Sequence, residues 1–92
     1  RGYVFIQVPQ HPKNHNGYIR EHRLIVEQLI SRYLKPEEVV HHIGRKSDNR
    51  PQMLIAFTND NVHKSFHKNP TLVKPKEIIF DGRKFNHSGI SE

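Results

Sequence analysis

Cysteine is absent from the 92 residues. That excludes a disulfide framework and any thiolate zinc site, and it agrees with a reducing cytoplasm. Long apolar runs are missing too. None approaches the ~20 residues of a membrane-spanning helix, and no signal peptide is visible at the start. Hydrophobic residues make up only 34% of the chain. One small domain with a thin core is therefore expected, with something besides apolar burial helping to hold it. There is no internal repeat and no low-complexity segment. The expectation is a cytoplasmic domain without membrane contact. Arg1 at the start adds the expectation of a piece of a longer chain.

Positive charge and histidine are abundant instead. Fifteen Lys and Arg against nine Asp and Glu give a net charge of +6 and an isoelectric point near 9.9. The basic residues are spread along the chain, as on a folded basic surface, and favour a polyanionic partner, nucleic acid before an acidic membrane surface. Eight residues are histidine, and four of these fall between positions 41 and 67.

The segment "YVFIQV" (3–8) is rich in β-branched and aromatic residues and predicts a strand ended by Pro9. A loop with two prolines follows, closing at Gly17. Tyr18, His22, Ile25, Val26, Leu29, Ile30 and Tyr33 recur at helical spacing and predict an amphipathic helix over 18–31. Strands are expected over 39–43 and 53–57, separated by the polar loop "GRKSDNRPQ". Thr58 or Asn59 would cap a helix that Asn69-Pro70 stops. "EIIFDGRKFN" reads as a hairpin turning at Asp81-Gly82.

"EEVVHHIG" puts His41 and His42 side by side at the end of a strand-like run. Successive side chains of a pleated strand point to opposite faces, so the pair is an odd choice for a core. His63 and His67, four apart on the expected helix, lie one turn from each other, and both rings can reach one point, as two imidazoles sharing a metal ion must. If the helix packs across the two strands, either His41 or His42 can supply a third ligand. At a fraying strand end beside Gly44 the two rings need not stay on opposite faces. Three histidines describe an open metal site, and the remaining imidazole titrates near neutrality and can take a proton from water. His22, on the apolar stripe of the first helix, is expected to be a hydrogen-bonded, half-buried structural histidine, and nothing marks His11, His15 or His87.

"EEVVHHIGRKSDNRPQMLIAFTNDNVHKSFH" resembles the HNH endonuclease motif, the ββα-metal or His-Me finger. The upstream "GYIREHRLIVEQLI" and "GYVFIQVPQHP" resemble the lead-in of phage-type HNH proteins, so the likeness covers about positions 2–69. The resemblance implies a small α+β fold: a nuclease domain over 1–69, with a ββα core about 38–69 preceded by the strand 3–8 and the helix 18–31. Residues 70–92 would form an extension with a C-terminal hairpin. It implies His42 as general base and His41, His63 and His67 as ligands of one divalent ion, with Mg, Mn, Zn or Ni as the metal. It further implies cleavage or nicking of DNA to 5′-phosphate and 3′-hydroxyl ends, with double-stranded DNA as partner.

Arg45, Lys46 and Arg50 in the loop, with Lys64 and Lys68 on the helix, would hold backbone phosphates, which position DNA but read no sequence. So small a unit would act as a homodimer or with a further DNA-binding module, in the cytoplasm, and a phage-encoded form would act in the host cell. One departure matters. The family's middle asparagine falls on Met53, whose thioether cannot brace the loop by hydrogen bonding, and Asn49 is the available stand-in. The alternative expectation is therefore an HNH-fold DNA-binding or structural module impaired in cleavage.

Overall fold

The computed structural model describes residues 2–84. They form a small α+β fold with two antiparallel sheets. β1 (Phe5–Gln7) and β2 (Tyr18–Arg20) make a two-stranded ribbon that runs directly into α1 (Glu21–Ile30). β3 (Val39–His42), β4 (Leu54–Phe57) and β5 (Ile78–Asp81) form a sheet with β4 in the centre, and α2 (Asp60–Lys68) follows β4.

β4 organises the core. All four of its residues are buried, which a central strand covered on both faces requires. Leu54 and Ala56 point to one face and pack with Val26 of α1, Leu34, and the flanking Val40 and Phe80. Ile55 and Phe57 point to the other and pack with Val62 and Phe66 of α2. The thin hydrophobic complement is thus divided between two small clusters that share one strand.

Three expectations about elements change. The helix expected from residue 18 begins at Glu21, because Tyr18–Arg20 pair with β1 around a buried Ile19. Leu29 and Tyr33, placed on the apolar stripe, are exposed. The turn expected at Asp81-Gly82 is absent: Ile78–Asp81 pair with β4, and residues 82–84 are helical. Gly82 meets a different demand there, since a Cβ would collide with the carbonyl oxygens of Pro51 and Leu54. The part of the hairpin expectation that falls beyond residue 84, and His87 with it, lies outside the described residues. Asn59 caps α2 by accepting from the Val62 amide at 2.9 Å.

Polar contacts brace the connections. Glu27, buried in the middle of α1, accepts from His11 at 2.7 Å and from the Leu34 amide at 2.9 Å. Glu38 accepts both arms of the Arg32 guanidinium and the Lys35 amide, and the Arg32 bond holds its carboxyl below the usual range. Among the described residues no helix is long and apolar enough to cross a membrane.

Candidate metal centre and its neighbouring histidine

The paired histidines do not fray. Both belong to β3, with His41 opposite Ile55 and His42 opposite Leu54. Their rings therefore go to opposite faces of the sheet, contrary to the expectation of a loosened strand end. His41 turns to α2, where its ring centroid lies 4.8 Å from that of His67 and 5.3 Å from that of Phe66. His42 turns to α1, 4.6 Å from the His22 ring. β3 is an edge strand, so both rings still reach one cleft at its rim. This cleft of about 220 Å³ is bordered by Tyr3, His41, His42, Lys46, His63 and His67.

On the α2 side, His63 and His67 meet as their one-turn spacing predicts. His63 Nε2 lies 3.0 Å from His41 Nδ1 and 3.0 Å from His67 Nε2. All three ligand atoms fall within 4.8 Å of one another. Burial, reinforced by His63 and His67, pushes His41 down to about 4. Burial and His67 also push His63 down, against the opposing pull of Asp60. Both rings are thus neutral near pH 7, the form that binds metal. Imidazole nitrogens about 2.0–2.1 Å from a tetrahedral ion lie about 3.3 Å apart, close to the spacing of the two short pairs. The three donors, two pairs at this spacing and all within 4.8 Å, could hold a divalent cation.

On the α1 side, His42 Nε2 bonds Asn49 Oδ1 at 2.6 Å, and Asn49 Nδ2 donates to Glu21 Oε1 at 2.9 Å. The chemistry fixes the proton positions. A carboxylate only accepts, so the asparagine nitrogen faces Glu21 and its oxygen faces His42. Nε2 of His42 then carries a hydrogen, so in the neutral ring the lone pair is on Nδ1. Asn49 is buried and its loop is tied by bonds from the Asp48 amide to the Arg45 carbonyl and from the Met53 amide to the Arg50 carbonyl. His22 backs the His42 ring. Burial and the charges of His42, Arg20 and Arg23 push it down to about 4, and its Nδ1 has no hydrogen-bond partner among the described residues.

Met53 takes no part in holding His42. Its carbonyl accepts from the Ile43 amide at 2.9 Å, and its methyl end packs where a Cβ on Gly44 would lie. Of the five expected phosphate-binding residues, only Lys46 borders the cleft, with its ammonium 5.2 Å from the Tyr3 ring. Arg50 is paired with Asp48 at 2.8 Å and Lys64 with Asp60 at 3.3 Å, while Arg45 and Lys68 are exposed. Sequence reasoning missed Tyr3 and Glu21. The spacing of Tyr3 and Phe5 within the first strand-like run signalled one shared face, but nothing local signalled that Glu21 would meet a loop 28 residues away.

No protein-family model, no curated protein and no solved structure matches the chain.

Proposed function

We propose that this protein is a divalent-metal-dependent endonuclease or nickase of DNA, built on the plan of the HNH nucleases. The observation that carries the reading is one histidine with a fixed tautomer and a free nitrogen, beside a three-histidine cluster at the rim of the same cleft. Phosphodiester hydrolysis asks for that pair of devices: a group that accepts a proton from water, and positive charge beside the phosphate.

His41, His63 and His67 would hold the ion. When bound, it would supply electrostatic stabilisation to the phosphate oxygens and the leaving group. His42 takes the proton of the attacking water on Nδ1, since Nε2 is committed to Asn49. Asn49 keeps the ring from rotating, and Glu21 keeps the asparagine from flipping. Lys46 holds a flanking phosphate at the mouth of the cleft. Met53 favours the alternative of an impaired module only if the middle position alone can brace the base. The Asn49 contact supports the active reading.

The test is nicking of supercoiled plasmid with Mg²⁺, Mn²⁺, Zn²⁺, Ni²⁺ or EDTA, with metal affinity measured separately by calorimetry. Cleavage should require a divalent ion and fall on the order of 10²–10⁴-fold in His42→Ala, with metal binding kept. Cleavage that survives EDTA, or is undiminished in His42→Ala, would sink the assignment.

A further inference from the structure

The cleft does not end at Tyr3. The Arg20 guanidinium lies 4.9 Å above the Tyr3 ring and 5.9 Å from that of Phe5. Arg20 also lines a second, larger groove of about 490 Å³ with Phe5, Lys13, Tyr18 and Arg23. The register explains this arrangement. Phe5 stands opposite Arg20 and Gln7 opposite Tyr18, so these four side chains share the outward face of the ribbon, while Ile19 points inward. Phe5 is 54% and Tyr18 45% exposed, much apolar area for a protein so poor in it. No Asp or Glu lines the groove among the described residues. Two open aromatic faces, set among cations with no carboxylate between them, match a polyanion that also carries flat bases. They match an acidic peptide or a duplex less well, because neither offers rings to stack.

We propose that the outward face of the β1–β2 ribbon is a binding site for an unpaired DNA strand, continuous with the histidine cleft through the Tyr3–Arg20 contact. Bases stack on Phe5 and Tyr18 while Lys13 and Arg20 hold the intervening phosphates. The inference rests on the nuclease reading for its choice of DNA, and it makes a strand with unpaired bases beside the cut the preferred substrate. Non-specific stacking of this kind tolerates any sequence, so the ribbon sets strandedness and leaves sequence unread.

The experiment measures fluorescence anisotropy of the full chain in EDTA, with a thymidine oligomer of about 10 nucleotides, a duplex of equal length, and polyglutamate as competitor. The oligomer is expected to bind more tightly than the duplex. Phe5→Ala and Tyr18→Ala should each weaken its binding about 5- to 100-fold, and Arg20→Gln should reduce the salt slope by about 0.7. Far-UV circular dichroism checks that the variants fold. Photocrosslinking of the oligomer to the parent protein, which needs no variant, should map to the ribbon. Crosslinks elsewhere, variants that bind like the parent, tighter duplex binding, or equal competition by polyglutamate would each overturn the proposal. The two readings fail separately. Metal-dependent nicking without oligomer binding removes the ribbon site and leaves the nuclease. Oligomer binding on the ribbon without nicking removes the nuclease and leaves the site.

Discussion

Asn49 carries more of the site than its place in a polar loop announces. Buried, and bonded on both sides of its amide, it joins His42 of β3 to Glu21 of α1. Asn49→Ala should cut nicking on the order of 10²-fold through a misplaced base, with metal affinity unchanged by calorimetry. Glu21→Ala should lower kcat with little effect on KM, because it frees the asparagine to flip without touching DNA or metal. Met53→Asn should change the rate far less than Asn49→Ala in the same assay, since the Met53 side chain lies against Gly44 and Asn49 holds the His42 bond. A large gain from Met53→Asn would mean that Asn49 does not brace the base.

At the scale of elements, the β3 and β4 segments and the helix of the histidine pair were legible because their signals are local: β-branched runs, an asparagine cap, one-turn spacing. Tyr18–Arg20 misled because a three-residue strand joined to a helix shares its apolar positions with the helical period, and only pairing to β1 tells them apart. The pleat rule alone gives the facing of His41 and His42, and the frayed end expected beside Gly44 departed from it; the cleft they share depends on β3 being an edge strand, which no local pattern states. His11 was unreadable for the same reason. Its partner Glu27 is 16 residues away, and together they pin the first loop to α1. Glu27→Ala leaves His11 and the Leu34 amide without their acceptor and should cost about 2–5 kcal/mol, read as a lower urea midpoint at unchanged slope. Gly82→Ala should also destabilise, by forcing the chain after β5 away from the Pro51 and Leu54 carbonyls; thermal melts check it.

For the molecule as a whole, acid weakens the fold through His22. Folded, its pKa is about 4 against an ordinary 6.5, because burial disfavours the charged ring and His42, Arg20 and Arg23 add positive charge around it. Between those values the unfolded chain binds a proton that the folded chain refuses. Its contribution is therefore complete above about pH 6.5 and is lost as pH falls toward 4. By pH 5 the loss is on the order of 2 kcal/mol. Urea unfolding at pH 7.5 and 5 should show a larger difference than this in the parent, because His41 and His63 are lowered too, and a difference smaller by the His22 share in His22→Phe. An equal difference in both proteins would refute it. The shared strand β4 has a wider consequence. The sheet is a partition, with the three-histidine cluster on one side and the asparagine-held histidine on the other. Damage is therefore compartmentalised: changes in α2 can empty the cluster while His42 stays aligned, and changes in α1 can misalign His42 while the cluster stays whole. A lineage built this way can shed either device and keep the other. A lesion in the β3–β4 pair, where Leu54 stands beside His42 on one face and Ile55 beside His41 on the other, takes both at once.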